Sequence, residues 1–282
     1  MNMTGWSGGF ADLTVPWPVA PEVRVFDLAV ALEPGMPKHP YHPPYGFVLA
    51  KRHGEGMYPN GISSAMEMIT MGAHVGTHVD SLGHIAKDGL VHGGRPVMET
   101  QSPTEGIQVG STEECPPLIG QGHLIDAVEL FGRDLTPADG VGVAELEKWF
   151  GEHPEPTPGS VVLVRTGWMR YWGDSDRYLG LKTGLPGMKR EGAEWLSARG
   201  IVATGSDTVN YEHKPDIAKV ALSVHEHNLV EKGIYILECM NLETLAEHRV
   251  YDFTFVGLPL RIRGGTGSPL RPIAIAPQHQ GD

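Results

Sequence analysis

Apolar positions along the chain follow two periods, and each period predicts a different element. Alternating or unbroken apolar runs are typical of strands, and they cover residues 23–32, 46–51, 63–71, 123–128, 160–165, 201–205, 234–238, 251–263 and 273–276. Apolar residues at helical spacing predict helices over residues 143–150, 191–199 and 220–232. Residues 160–205 run strand, helix, strand, which favours a parallel crossover.

These elements predict a single α/β domain with mixed sheets over residues 23–282. No internal repeat or linker divides it. Residues 1–22 contain Pro16, Pro18 and Pro21 and little periodicity, so we interpret them as an N-terminal arm that precedes the domain.

Composition narrows the class of protein. With 40% hydrophobic and 20% charged residues, the chain is typical of a globular protein. A net charge of −12 argues against a nucleic-acid partner. No apolar run is long enough for a membrane span, and the N-terminus lacks the pattern of a signal peptide. Two cysteines are too few for a disulfide framework, so a cytoplasmic protein is expected.

The most informative stretch is residues 74–84, which reads His-Val-Gly-Thr-His-Val-Asp-Ser-Leu-Gly-His. Three imidazoles and a carboxylate are hard to explain as core packing, because each buried polar group needs its own partner. A divalent metal supplies that partner, and zinc and manganese both accept such ligands. A run of surface histidines in a glycine-rich loop is the alternative interpretation.

Spacing constrains the backbone of this stretch. In a straight strand His74 and His78 would lie roughly 13 Å apart, too far to share one ion. Residues four apart on a helical turn are neighbours. We therefore expect a tight helical or bent turn at His74–His78, with Asp80 following as the chain leaves it and Gly76 relaxing the bend.

His84 lies four residues beyond Asp80 and has two possible roles. An imidazole with an ordinary pKa near 6.5 is able to move a proton to a leaving group. Alternatively, His84 is itself a ligand. We favour the catalytic acid/base role, since an ion with three protein ligands keeps a position open for water.

A second polar group lies late in the chain. Glu238 ends an apolar strand, so its carboxylate is expected to be buried and to need a cation. It is either a further metal ligand or the partner of an Arg or Lys. His225 and His227 are expected on a solvated helix face, and His227 is kept as a further ligand candidate.

Two loops offer candidate substrate contacts. Residues 33–45 contain five prolines and a glycine, which predicts a rigid loop that carries His39 and Tyr41. These side chains either line a pocket or lie on the surface. His213 follows a buried strand in another loop and is a candidate for the pocket wall.

The pattern from His74 to His84, His-x-Gly-Thr-His-x-Asp-x-x-x-His, resembles the signature of the metal-dependent cyclase-like hydrolases. That family includes bacterial kynurenine formamidases, isatin hydrolases and trans-dienelactone hydrolases. The resemblance extends over roughly residues 23–276. It includes the Pro-rich loop at residues 32–40, the segment 162–168 ending in Thr-Gly-Trp, the segment 233–242, and Ser268-Pro269-x-Arg271-Pro272.

The resemblance implies a swivelling β/β/α fold, an oligomer, and hydrolysis assisted by zinc or manganese. His74, His78 and Asp80 match the family's metal ligands, and His84 matches its proton donor and acceptor. Glu238 matches a metal-binding carboxylate of the two-zinc formamidases. His39 falls where those enzymes place an aromatic substrate contact.

Two positions depart from the family pattern. Leu82 stands where proline is common, so the loop toward His84 is expected to differ. The two-zinc members have a histidine about twelve residues before the glutamate, where this chain has Glu226 between His225 and His227. One divalent ion, Mn²⁺ or Zn²⁺, is therefore expected.

Together these features predict a metal-dependent hydrolase that opens a cyclic amide or lactone, or cleaves an aryl formamide, through water activated by the ion. An isatin-hydrolase-like reaction is favoured. The alternatives are a polyketide-type cyclase and a non-catalytic metal-binding protein. The expected partners are a small aromatic carbonyl compound and further copies of the chain in a dimer or tetramer, with no nucleic acid and no membrane.

Overall fold

The computed structural model describes residues 23–216 and 221–277. The expected arm, residues 1–22, lies outside these residues. The described strands, in chain order, are β1 (Val23–Asp27), β2 (Gly46–Lys51), β3 (Met66–Thr70), β4 (His78–Asp80), β5 (Leu90–Val91), β6 (Arg95–Pro96), β7 (Gln101–Ser102), β8 (Gly106–Ile107), β9 (Leu118–Asp126), β10 (Gly140–Val141), β11 (Val161–Arg165), β12 (Gly187–Met188), β13 (Ala203–Ser206), β14 (Tyr235–Glu238), β15 (Asp252–Gly257), β16 (Gly267–Pro269) and β17 (Ile273–Pro277).

The helices are short and lie mainly between the later strands. The α-helices are α1 (Ala127–Phe131), α2 (Val143–Phe150), α3 (Ser175–Leu179), α4 (Arg190–Ser197), α5 (Ser223–His225) and α6 (Glu243–Glu247). A π-helix, Glu226–Lys232, continues directly from α5. Single 3₁₀ turns occupy His92–Gly94, Thr112–Glu114 and Trp168–Tyr171. None of the helices in the described ranges is long and apolar enough to cross a membrane.

Nine strands form one mixed sheet in the order β1-β17-β15-β9-β11-β13-β14-β4-β16. The four central strands β9, β11, β13 and β14 are parallel, and antiparallel strands flank them on both sides. The parallel pairing of β11 with β13, across α4, confirms the predicted crossover. The mixed α/β fold expected from the sequence is therefore confirmed.

The sheet separates two hydrophobic cores, and β11 shows why. Its four valine and leucine side chains are all buried, and successive side chains point to opposite faces of a strand. Val162 and Val164 pack with Leu146 of α2 and Leu196 of α4. Val161 and Leu163 pack in the second core, on the other face. An unbroken apolar run is thus required here by burial on both faces.

The predicted helix over residues 220–232 is confirmed in position but not in type. Its first turn is α-helical through His225, and residues 226–232 then form a π-helix with an extra residue in its turns. The segment ends at Gly233, whose φ of 69° is in the left-handed region that glycine tolerates.

Candidate metal centre

Strands β4 and β14 place three ligand-type side chains on one face of the sheet. His78 and Asp80 are two residues apart on β4, so both point to the same face, while Val79 points into the opposite core. Glu238 pairs directly with His78 across the antiparallel ladder. Its Oε2 lies 3.5 Å from Nε2 of His78, and Oδ1 of Asp80 lies 3.6 Å from the same nitrogen.

His74 reaches this face from a bent turn, as the spacing predicted. Residues 73–77 form turns and bends, and Gly76 adopts a φ of 69° within them. The Nδ1 atom of His74 lies 2.6 Å from Oδ1 of Asp80, and Nε2 lies 2.9 Å from the hydroxyl of Thr266. Gly267 packs against this imidazole so closely that a side chain there would overlap it.

His225 completes the group from the helical side. Its Nε2 lies 3.2 Å from Oε1 of Glu238, and its Nδ1 lies 3.1 Å from Oε2 of Glu212. All three side chains are buried. The second carboxylate orients the imidazole, which is the usual arrangement for a histidine that binds a metal.

Two sets of three ligand atoms result, and they share Asp80. The first set is His74, His78 and Asp80, and the second is Asp80, His225 and Glu238. Within each set the candidate atoms lie within 4.8 Å of one another. Imidazole nitrogens and carboxylate oxygens suit zinc and manganese, so these residues fit a divalent ion.

The side chains of this group shift one another's pKa values strongly. Burial alone would raise the pKa of Asp80, but His84 and His74, both charged in the acidic range where this carboxyl titrates, and the hydrogen bond from His74 hold the pKa well below its usual range. Burial also disfavours a charged His225, yet its hydrogen bonds to Glu212 and Glu238 raise the pKa to about 9. Without an ion, protons on the imidazoles therefore balance the buried carboxylates.

His84 lies beside the ligand sets and carries no charge at neutral pH. Its ring is 4.1 Å from that of His74, centroid to centroid. Burial lowers the pKa of His84 to about 4, since the positive charge of His74 adds to the cost and Asp80 offsets only part of it. The imidazole is thus neutral and able to accept a proton.

His227 lies apart from the other candidate ligands. The sequence analysis kept His227 as a ligand candidate, but His225 is the histidine of this helix that reaches the group. The Nε2 atom of His227 lies 2.8 Å from the hydroxyl of Ser197, and its Nδ1 lies 2.8 Å from Glu231. The expectation that both histidines are solvated is wrong as well, because His225 and His227 are both buried. Glu226, the apparent departure, forms a salt bridge with Lys87.

The substrate-contact candidates fall into two groups. His39 is half-buried, and rings of His39, His42 and His74 follow one another at centroid distances of 5.5 Å. Tyr41 packs on His39 but is 90% exposed. His213 instead hydrogen-bonds the carbonyl of Pro137 through Nε2, at 3.0 Å, so its contacts hold a loop rather than line this site.

The departure at Leu82 is accommodated by packing. Leu82 is partly buried against both cores. The next residue, Gly83, donates from its backbone nitrogen to the carbonyl of Gly110, at 2.7 Å. A side chain at Gly83 would overlap Ile107 and this backbone, so glycine is required for the close approach before His84.

Sequence reasoning missed Glu212 and Thr266. Thr266 contacts His74 from a loop 192 residues away in the chain, and Glu212 contacts His225 from a loop 13 residues before it. The only sequence signal for Glu212 was its place in the loop after β13, beside His213, and Thr266 had none beyond a glycine-rich turn.

The chain matches a known protein family. Residues 26–213 match the model of the Cyclase family, described as "Putative cyclase". Because this match covers more than half of the chain, the protein belongs to that family, and the predicted resemblance is confirmed.

Relatives in this family are hydrolases. An isatin hydrolase from Roseibium aggregatum is 27% identical over 221 residues, covering 76% of each chain. A kynurenine formamidase from Erythrobacter litoralis is 27% identical over 250 residues, covering 89% of this chain and 93% of its own. The predicted class, a hydrolase of this family, is confirmed by these relatives.

Solved structures show the same fold. A novel cyclase superposes with a TM-score of 0.81 at 25% identity, over 89% of this chain and 86% of its own. Isatin hydrolase A from Ralstonia solanacearum superposes with a TM-score of 0.69 at 25% identity, over 90% and 92%.

Proposed function

We propose that this protein is a metal-dependent hydrolase of a cyclic amide, a lactone or an aryl formamide. The observation that carries the proposal is the convergence of three imidazoles and two carboxylates beside a neutral, half-buried His84. The relatives supply the choice of bond, since isatin hydrolase and kynurenine formamidase are both named for hydrolysis.

The chain offers ligands for one ion or for two, zinc or manganese in either case. His74, His78 and Asp80 would hold the first ion. Asp80, His225 and Glu238 would hold a second. The sequence predicts one ion because Glu226 stands where the two-zinc members of the family have a histidine. Since His225 lies beside Glu238 in the structure, that argument against a second ion no longer holds, and the number of bound ions has to be measured.

His84 supplies the proton transfers in this proposal. A divalent ion, when bound, polarises a carbonyl and makes water more acidic. His84 accepts the proton of the attacking water because its imidazole is neutral at pH 7. It then gives that proton to the departing nitrogen or oxygen. Its ring packs against that of His74, which places it beside the ligand group.

The rigid loop of residues 33–45 forms one wall of the proposed substrate pocket. His42 donates from Nδ1 to the carbonyl of His74, at 2.9 Å, which ties the loop to the ligand turn. His39 packs on His42, further from the ligands. These neighbouring, tilted rings would suit a planar aromatic substrate, which supports the aromatic class expected from the sequence.

The test is an assay of purified protein loaded with Zn²⁺ or Mn²⁺ against isatin, N-formylkynurenine and a dienelactone. Hydrolysis adds the mass of one water across substrate and products, as mass spectrometry shows. A product of unchanged mass, or one that has lost water, would indicate the cyclase alternative. Metal binding without turnover of any carbonyl compound would indicate a binding protein. The ranking of isatin over formylkynurenine rested on the supposed loss of the second histidine, so both are tested equally.

Two further expectations remain predictions. A cytoplasmic location is expected from the cysteine content. A homo-oligomer is expected from the family.

A further inference from the structure

Lys214 is a partly buried cation in the loop that follows β13. A lysine that is taken out of water usually has a carboxylate as its partner. The nearby carboxylates of Glu212 and Glu238 pair with His225 instead. Among the described residues, Lys87 is the only lysine that forms an ion pair with a carboxylate, so the ammonium of Lys214 lacks such a partner.

The backbone around Lys214 is held in an extended conformation by two bridges. Leu185 donates from its backbone nitrogen to the carbonyl of Lys214 at 2.7 Å, and Lys214 donates back to the carbonyl of Leu185 at 2.9 Å. Two residues earlier, Glu212 bridges to Met188. Gly184 lies so close to the carbonyl of Lys214 that a side chain there would overlap it. The position of Lys214 is therefore fixed by its neighbours.

The extended backbone also sets the direction of the Lys214 side chain. Successive side chains of an extended segment point to opposite sides. Glu212 contacts Nδ1 of His225 in the candidate metal centre, whereas His213 contacts the carbonyl of Pro137. Lys214 therefore lies on the same side as Glu212, toward the candidate metal centre.

The electrostatic effects on neighbouring groups agree with this direction. Burial lowers the pKa of Lys214, and the negative charges of Glu238 and Glu212 offset part of that effect. Burial likewise lowers the pKa of His39, and the positive charges of His42 and Lys214 lower it further. The ammonium of Lys214 thus acts both on a candidate metal ligand and on the candidate substrate contact.

A second ammonium acts on His39 from the loop of residues 33–45. Lys38 is partly buried, and its charge also lowers the pKa of His39. Like Lys214, it forms no ion pair with a carboxylate of the described residues. In a chain with a net charge of −12, two such cations around one imidazole form a locally positive site.

We propose, on the basis of the hydrolase function proposed above, that Lys214 and Lys38 bind a carboxylate of the substrate and so select aromatic amides or lactones that carry an acidic group. A partly buried ammonium forms a strong charge-assisted hydrogen bond with a carboxylate. A bound divalent ion balances the charges of Asp80 and Glu238, which leaves Lys214 to pair with an anion. N-formylkynurenine carries such a carboxylate, whereas isatin is neutral.

The first test compares N-formylkynurenine with its methyl ester, measured as formate released by the metal-loaded enzyme. The value of kcat/KM for the wild type should be roughly tenfold or more higher for the free acid, chiefly through a lower KM. Lys214→Met should lower this acid-to-ester ratio by about the same factor, and Lys214→Arg, which keeps the cation, should retain most of it. A wild-type ratio near one would overturn the proposal.

Lys232→Met is the matched control, since it removes the same charge from an exposed position at the end of the π-helix. It should leave the acid-to-ester ratio unchanged. An equal fall in Lys232→Met and Lys214→Met would show an effect of net charge alone and would overturn the proposal. So would a Lys214→Met variant that changes Zn²⁺ affinity but keeps the wild-type ratio, because Lys214 would then only compensate Glu238.

A second measurement needs neither metal nor turnover. Metal-free protein is titrated with kynurenine and with its methyl ester by calorimetry. The wild type should bind the acid about tenfold more tightly, and Lys214→Met should lose this preference. A lasting preference without any turnover would support the carboxylate site and contradict the hydrolase function. Turnover with no preference for the acid in either measurement would leave the hydrolase function standing and overturn the carboxylate site.

Discussion

Two buried polar clusters lie in this fold, and they differ in where their positive charge comes from. In the first, Arg165 at the end of β11 contacts Asp126 at 2.9 Å and Glu243 at 2.5 Å. In the second, the candidate metal centre, the ion-pair partners of Asp80 and Glu238 are imidazoles, and Glu238 also accepts a hydrogen bond from the backbone nitrogen of Tyr211. Buried carboxylates need a compensating cation.

The arginine cluster has its cation within the chain. A guanidinium is always charged, and Arg165 pairs with both carboxylates in a fixed geometry, through both oxygens of Asp126 and through Oε2 of Glu243. The imidazoles of the metal centre lose their protons as pH rises, so they compensate carboxylates only in part. The comparison supports the proposal that the second cluster takes its cation from solution, whereas the first holds its own.

The largest expected effect is at the centre of the ligand group. His78→Ala removes the nitrogen that faces both Asp80 and Glu238. Metal affinity should fall by more than the roughly 10- to 100-fold typical of residues outside the ligand shell, and activity should fall to background. Calorimetric titration with Zn²⁺ and the hydrolysis assay measure the two losses. Full activity without detectable metal would remove the metal from the proposal.

His84→Ala should separate chemistry from binding. Loss of a general acid/base lowers kcat by about 10²- to 10⁴-fold, while metal affinity should stay close to that of the wild type. Steady-state kinetics and metal titration on the same preparation decide between the roles. Loss of metal in this variant would make His84 a ligand, and retained turnover would leave it without a catalytic role.

Arg165→Met tests the other cluster. It leaves Asp126 buried and Glu243 partly buried without their cation, so the free energy of unfolding should fall by about 1–3 kcal/mol. Urea denaturation with excess metal measures this change. Metal affinity of the folded variant should be unchanged, and a parallel loss of metal binding would show that the two clusters are coupled.

A smaller effect is expected from pH. The pKa of His225 is raised to about 9 in the metal-free protein, so at pH 7 its proton must leave before a metal binds there. Affinity at this position should rise about tenfold per pH unit up to about pH 9 and then level off. Calorimetry in two buffers of different ionisation enthalpy counts the released protons. Binding without proton release would contradict the role of His225.

Sequence patterns predicted the candidate ligands that lie close together in the chain, but not all of those that distant segments contribute. His74, His78 and Asp80 are close in the chain, so spacing alone implied a bent turn. Glu238 followed from its place at the end of an apolar strand. The choice between His225 and His227 was missed, because the two differ by about 200° around a helix. Which of them faces the sheet depends on how the helix packs.

The contacts of Glu212 and Thr266 with their histidines could not be predicted from the sequence for a similar reason. Glu212 and Thr266 reach their histidines only once β13, β14 and β16 have assembled in the sheet. The order of strands was not predicted from the apolar runs, since those runs show burial but not neighbours. The parallel pair β11 and β13 was the exception, because a connecting helix fixes it.

The most direct test of the account is the metal content of three purified proteins, the wild type, His225→Gln and His227→Gln, measured by elemental analysis after growth with Zn²⁺ or Mn²⁺ and dialysis. The wild type and His227→Gln should retain the same number of divalent ions per chain, and His225→Gln should retain fewer. A wild-type protein that holds no divalent ion, or a loss in His227→Gln equal to that in His225→Gln, would contradict the assignment of the metal centre.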